Sequence, residues 1–316
     1  VSLKSASRVL NGEPHVSEGL RARVLAAAAE LDFAPNTAAR LLKRGVRTRT
    51  VGLVTGDLAN PFYAWLAKGI ERALRPQGMQ LTIASSDEDP ERERRLLDEL
   101  IDRGVSAIIV VTTQPQRTVQ DAAQRGIPVV FVDRAPIGAD ADAVVIDNAG
   151  GARRAAEHLV AHGHRRIGYI GDLPGLPTHT ERLDGFREGL LGAGIGTAGL
   201  LLHEGAHDAA SAERAARDML ALPEPPTALF GGNNLITVGC LGAIRADRPE
   251  TALLGFDDFE LAPALGISVV AADPVRMGEI AVELALRGGE ARGHGAVRRV
   301  LPALLRARGS AEVAPA

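Results

Sequence analysis

The sequence predicts an α/β protein built from two doubly wound parallel-sheet lobes behind a small, basic, all-α head, and three observations carry that prediction. From Thr50 onward short apolar runs alternate with amphipathic stretches, which is how strands buried on both faces by helices read. At 316 residues the chain is long enough for two such sheets. Charge is unevenly spread: residues 1–49 hold nine Lys/Arg against four Asp/Glu, or +5, so with -3 overall the remainder carries -8.

The head comes first. Ser2 can cap a short helix that Asn11 and Gly12 end, with Ala6, Val9 and Leu10 inward and Leu3, Lys4, Ser7 and Arg8 outward. A second helix runs from Ser17, with Leu20, Val24, Ala27, Ala28 and Leu31 at the spacing of one helical stripe. A third, over 36–45, has Asn36 as N-cap and Gly45 as stop. Alone it is below the ~12–15 residues an isolated helix needs in water, so it folds only when docked. Ala38, Leu41 and Leu42 share one side of it, while Arg40, Lys43 and Arg44 supply charge. An apolar wedge flanked by cations suits insertion into a DNA minor groove, the leucine unstacking a base step while the cations hold phosphates. Taken singly, each stretch reads equally well as a small helical domain or a linker; their order favours DNA.

The body follows. TVGLVTG, MQLTIASS, VSAIIVVTT, IPVVFVD, AVVID, RIGYIGD, LLLHEG, TALFGG, ALLGFDD and SVVAAD are the apolar runs, and helices are predicted over Tyr63–Arg75, Pro90–Arg103, Gly150–His162 and Asp208–Leu222. Open parallel sheets bind ligands beyond the carboxyl ends of their strands. The residues standing there are Asp57, Ser86-Asp87, Thr112-Thr113, Asp133-Arg134, Asp147, Asp172, Asn233-Asn234 and Asp257-Asp258, with Phe62 and Tyr63 opening the first helix. Any one of them is more readily a helix cap or turn former. As a set, carboxylates and amides beside aromatic rings suit a neutral ligand rich in hydroxyls or ring nitrogens, whereas a phosphate would want more cations.

VSLKSASRVLNGEPHVSEGLRARVLAAAAELDFAPNTAARLL resembles the headpiece of the lactose-repressor/galactose-repressor (LacI/GalR) family of bacterial transcription regulators, entered one helix late. The resemblance implies a partial helix-turn-helix whose first predicted helix lies in the major groove, with Leu3, Lys4 and Arg8 at base edges. It implies phosphate contacts from Ser2, Ser5, Ser7, Asn11 and His15, which position without specifying. Leu42 matches the leucine of the hinge helix that enters the minor groove, flanked by Ala39 and Lys43. Ser5 and Ala6 stand where Thr and Val are usual. Because the first helix of the motif is missing, the resemblance implies weak or no operator binding by residues 1–316 and binding by the intact gene product.

The body resembles the sensor of the same family, a periplasmic-binding-protein-like type I fold. NPFY, FVDR, ERLDGF, GGNN and GFDD match its cleft motifs, which implies effector contacts from Phe62, Asp133, Arg182, Asn233 and Asp257. Asn234 stands where Asp is commoner, and the link Ala246 to Glu250 is short. Expected boundaries are a head over 1–49, lobe 1 over 50–147 and 273–292, lobe 2 over 148–272 and 293–308, and a tail over 309–316, with crossings near Asp147, Asp273 and Arg292.

Other chemistries find little support. Gly194, Gly196 and Gly199 make a G-x-G-x-x-G, but a helix precedes it where a dinucleotide site needs a strand. His158, His162 and His164 lack a completing Cys or carboxylate for zinc, and Cys240 has no evident base. The sequence therefore assigns no catalytic residue, no metal and no cofactor. A single cysteine, no apolar run of membrane-span length and no signal-peptide layout point to a cytoplasmic setting without membrane contact. The function expected is an effector-responsive, sequence-specific DNA-binding regulator, in the sense of a repressor, that acts as a homodimer on palindromic operator DNA. A sugar is the favoured effector, and a nucleobase or a member with no small effector stays open; a solute-binding protein without DNA function is the alternative, and an α/β enzyme a third.

Overall fold

The computed structural model describes residues 1–10, 16–31, 48–113, 118–196, 200–287 and 295–315. It divides into two compact units, Val1–Thr48 and Arg49–Ala316.

In the first unit, α1 (Leu3–Leu10) packs on α2 (Glu18–Glu30). Ser2 Oγ accepts the Ser5 amide at 3.1 Å, the predicted cap. Val9 on α1 and Val24 on α2 are buried. Of the predicted stripe on α2, Leu20 and Ala28 are half-buried while Ala27 and Leu31 stand exposed, because the eight-residue α1 covers only one side of its partner. The hinge helix over 36–45, with Ala39, Leu42 and Lys43, lies outside the described residues, as do Asn11 and His15.

The second unit holds two six-stranded sheets. In the first, β1 (Thr50–Thr55), β2 (Gln80–Ser85), β3 (Ala107–Val110), β4 (Val129–Asp133), β5 (Asp142–Ile146) and β11 (Arg298–Leu301) run parallel in the order β11-β5-β4-β3-β1-β2. In the second, β6 (Ile167–Ile170), β7 (Leu200–His203), β8 (Ala228–Gly231), β9 (Ala252–Phe256) and β10 (Ser268–Ala271) are parallel, and β12 (Leu304–Arg306) closes the order β12-β10-β9-β8-β6-β7 antiparallel to β10. The ten predicted apolar runs are β1–β10. The short, charged β11 and three-residue β12 carry no such pattern and were not foreseen.

Helices α3 (Pro61–Leu74), α4 (Pro90–Asp102) and α5 (Thr118–Gln124) accompany the first sheet, and α6 (Asn148–Ala161), α7 (Pro177–Gly192), α8 (Ala209–Leu220) and α9 (Asn234–Asp247) the second. The chain leaves the first sheet at Asp147 and returns after Ala271, since α10 (Pro274–Leu286) packs on α3 and on β3, β4 and β5. Its third passage, expected near Arg292, a position outside the described residues, runs through Pro302 and Ala303, because β11 still pairs with β5. The segment expected as a tail is docked. Ala311 is fully buried, Ser310 Oγ accepts the Ser268 amide at 2.9 Å, and Glu312 meets His158 Nε2 at 2.6 Å. His164 accepts or donates between Thr227 Oγ1 and the Val313 carbonyl, both at 2.9 Å, so two of the three histidines hold this segment.

Burial of the central strands, while the edge strands β2, β7, β11 and β12 stay largely exposed, supplies the hydrophobic term, about 25 cal/mol per Å² of apolar surface. Tyr169, Phe186 and Phe230 form a ring cluster under the second sheet, with centroids 4.7–5.3 Å apart. Helices α3 and α10 cross at backbone contact: a Cβ at Gly69 would lie 2.0 Å from the Val275 carbonyl oxygen, and one at Gly278 2.4 Å from that of Leu66. Gly69→Ala therefore pushes the helices apart, and about 1–3 kcal/mol of stability should be lost, read as a lowered urea midpoint at unchanged slope.

Candidate functional site

The carboxyl ends of both sheets meet at a polar cleft lined by Asp57, Glu88, Asp133, Asp172, Asp257, Arg134, Arg182, His207 and Asn233, among others. Each side is aimed by local structure. After β1, Asn60 caps α3 by accepting the Phe62 amide at 3.0 Å, and Pro61 fills the first helical position, so Phe62 and Tyr63 enter the cleft on a rigid turn. After β2, Asp87 and Glu88 take left-handed backbone (φ 53° and 57°), which turns Glu88 toward β4. There it receives a bidentate pair from Arg134, 2.6 and 2.7 Å. A Cβ at Gly56 would fall 2.1 Å from Glu88 Oε1, so this arrangement requires glycine at that point.

The second lobe is organised by Arg182, buried on α7. Its Nε donates to Asn148 Oδ1 at 2.9 Å, its Nη1 to the Gly232 carbonyl at 2.8 Å and to Asp257 Oδ2 at 3.1 Å, and its guanidinium lies 3.9 Å above the Phe256 ring. Asp172 accepts from Asn233 Nδ2 at 2.8 Å and pairs with His207 Nδ1 at 2.7 Å, while Asn233 Oδ1 caps α9. Between the lobes, Asn234 Nδ2 donates to Asn60 Oδ1 at 3.0 Å. An Asp at 234 has no proton to give there, so the departure noted in the sequence creates a bond across the cleft.

All five residues expected to touch an effector, Phe62, Asp133, Arg182, Asn233 and Asp257, line this one cleft. So do Arg134, expected at its strand end though not as an effector contact, and Glu88, Thr178 and His207, which the sequence does not single out. Arg134 was legible as the neighbour of Asp133; His207 comes from the loop after β7 and has no sequence signal. Several strand-end residues turn away from the cleft: Ser86 Oγ donates to the Thr55 carbonyl at 3.1 Å and Asp87 accepts from Ser85 Oγ at 2.6 Å. Thr112 and Thr113 turn to the buried Glu93, at 3.0 and 2.6 Å, and Asp147 caps α6 and meets Arg154 at 3.2 Å. In the head, Arg8 is exposed and Ser5 half-buried on α1, which also carries Leu3, Lys4 and Ser7.

Asp133 and Asp257 both sit in left-handed backbone, φ 67° and 63°, at the ends of β4 and β9, a strain that buried aspartates bear only where their surroundings impose it. Burial raises the Asp133 carboxyl to about 6 against the pull of Arg134 and Arg182. Burial likewise raises Asp257 against Arg182. For Asp172 burial pushes upward, and the hydrogen bonds it accepts from His207 and from the Leu173 amide overcome that, holding the group low; His207 is raised in return by its bond to Asp172. Five carboxylates thus face two guanidinium groups and one imidazole. Such a lining accepts hydroxyl protons in abundance and repels an anion.

A group raised in the folded state holds its proton more tightly there than when unfolded, so its stabilising contribution is present below the unfolded value near 4 and lost as pH rises through about 6. Asp133→Asn should therefore raise the unfolding free energy at pH 7.5 by about 2–3 kcal/mol, read as a higher urea midpoint at unchanged slope, and change it little at pH 4.5. Equal shifts at both pH values would contradict the assignment.

Residues 1–36 match the family described as bacterial regulatory proteins, lacI family, and residues 48–255 match periplasmic binding proteins and sugar binding domain of LacI family. The ribose operon repressor of Escherichia coli (strain K12) is 30% identical over 293 residues, which cover 90% of this chain and 88% of that protein. The solved complex of the transcriptional regulator CelR with cellobiose is 29% identical with a TM-score of 0.71, covering 96% of this chain and 94% of that one. The Cra transcriptional dual regulator of Pseudomonas putida with fructose 1-phosphate is 27% identical with a TM-score of 0.75, covering 83% and 99%.

Proposed function

The chain belongs to the lacI family of bacterial regulatory proteins, and from that premise we propose that it is a repressor that senses a neutral sugar in the cleft between its two sheets and acts as a homodimer on operator DNA. The observation that carries the sugar reading is the convergence of Phe62, Asp133, Arg182, Asn233 and Asp257 on one acid-rich cleft. Carboxylates accept hydroxyl hydrogens, Arg182 and Asn233 donate to ring and hydroxyl oxygens, and the Phe62 ring offers a face to the apolar side of a sugar. A carbohydrate regulator among the similar structures, CelR with cellobiose, agrees with it. The fructose 1-phosphate of the Cra complex is less suited to this chain, because both cleft arginines are already engaged, Arg134 by Glu88 and Arg182 by Asp257.

DNA contact falls to the head: Leu3, Lys4 and Arg8 at base edges, Ser2, Ser5, Ser7, Asn11 and His15 at phosphates, and Ala39, Leu42 and Lys43 in the minor groove. Two heads on a palindromic site call for a dimer. Sugar binding changes the angle between the lobes, and operator affinity changes in response.

The test is a thermal-shift screen of the chain against monosaccharides, disaccharides, sugar phosphates, nucleosides and purines, since a ligand that binds only the folded state raises the melting temperature. A neutral sugar should give the shift. Arg182→Ala, which leaves Asp257 and the Gly232 carbonyl unpaired, should weaken that sugar at least about a hundredfold, within the ~3–5 kcal/mol of breaking a buried pair. A shift produced by purines or sugar phosphates, and by no neutral sugar, would replace the ligand class proposed.

A further inference from the structure

The polar cleft and a second cavity share the walls Phe62 and Asp257, and their sizes are very different. The polar cleft holds about 30 Å³, room for about two water molecules and less than one pyranose ring. The outer cavity measures about 430 Å³, within the ~300–1,000 Å³ of small-molecule sites. Its apolar walls are Phe62 and Trp65 from α3, Phe259 and Pro263 from the loop after β9, and Pro274 at the start of α10, so both lobes and one crossing build it. Trp65 is left 37% exposed at this wall, although a tryptophan ring is among the side chains with most to gain from cover.

The rim is acidic and partly held in place. Asp258 is fixed by Arg306 at 2.5 Å and by Arg308 at 2.6 Å, while Glu260 and Asp273 also line the opening. Aromatic walls below a carboxylate rim match the two sides of a sugar ring, whose C–H face is apolar and whose edge carries hydroxyl donors. The excess of acid again disfavours phosphate.

We infer that the effector is a disaccharide, with one ring among Asp133, Arg182 and Asp257 when the cleft opens around it and the second ring against Trp65 and Phe259 in the outer cavity. This rests on the polar cleft being a sugar site. A monosaccharide would satisfy the inner polar groups and leave the outer aromatic wall uncovered, so the second ring supplies both added affinity and the choice of linkage. The outer cavity draws its walls from both lobes, and an occupant there also bears on the angle between them.

Trp65 is the only tryptophan of the chain, so its emission reports on the outer cavity directly. The full chain is titrated with D-glucose, D-galactose, D-mannose, D-xylose and D-ribose and with cellobiose, maltose, lactose, sucrose and trehalose, following Trp65 emission and melting temperature together. One disaccharide should half-saturate at a concentration at least tenfold below either of its component rings and shift the emission. Trp65→Ala should weaken that disaccharide tenfold or more and leave the monosaccharide within twofold; Glu260→Gln, on the exposed rim, should weaken it severalfold without altering the melting temperature of the free protein. A monosaccharide that binds as tightly as any disaccharide and leaves Trp65 emission unmoved, yet is lost in Arg182→Ala, would overturn the disaccharide and leave the sugar cleft standing. If no sugar in either set binds, the disaccharide and the sugar cleft both fall.

Discussion

Arg182 is the interaction on which the second lobe's half of the cleft depends. A guanidinium removed from water must be paired on most of its donors, and this one ties the start of α6 through Asn148, the turn after β8 through Gly232 and the end of β9 through Asp257. Those three points are remote in sequence and carry the residues that face the opposite lobe. The ring of Phe256 beneath the guanidinium closes the side on which no hydrogen bond forms. The charge thereby orders the strand ends while presenting one rigid donor group to whatever enters.

The first lobe solves the matching problem with Arg134 and Glu88, whose bidentate pair spans the ends of β2 and β4. Each lobe nearly neutralises its own guanidinium, so the remaining carboxylates set the character of the cleft. Asp133 and Asp257 occupy like positions in the two lobes, each at the end of a buried strand and each in left-handed backbone. Such strain persists when neighbouring structure over-determines it, and its repetition on both sides of one cleft associates it with binding.

Among the described residues, closure has few links of its own. The described hydrogen bond that joins α3 to α9 across the cleft runs between Asn60 and Asn234, and Asn60 serves at the same time as the α3 cap. One bond of this kind is worth about 1 kcal/mol net, small enough for a ligand to replace. The tight glycine crossing of α3 on α10 is different: it holds two helices of the first lobe at backbone contact, whereas the chain passes between the lobes only by way of Asp147, Ala272 and Pro302 among the described residues.

What the sequence determined by itself was the alternation of buried strands and amphipathic helices, hence two parallel sheets, and, through the rule that ligands meet strand ends, Asp133, Asn233 and Asp257 with Phe62 opening the first helix; Arg182, on a helix, was marked only by the resemblance of ERLDGF to a family motif. Those are local properties: periodicity, capping residues and short motifs survive in one dimension. The head was legible in the same way, through Ser2 as a cap and Val9 and Val24 on the inner sides of their helices. Tertiary structure alone decided which strand ends face inward. Thr112 and Thr113 read like Asp133 in the sequence, yet a buried Glu93 nineteen residues earlier claims them. It decided too that His207 joins Asp172, that Glu88 answers Arg134, that Arg298–Leu301 completes a sheet begun 248 residues before, at Thr50, and that the last residues are docked rather than free. Pairings of that kind depend on the angle at which helices and sheets pack, and that angle is written in side-chain contacts between distant segments, which no window of sequence contains.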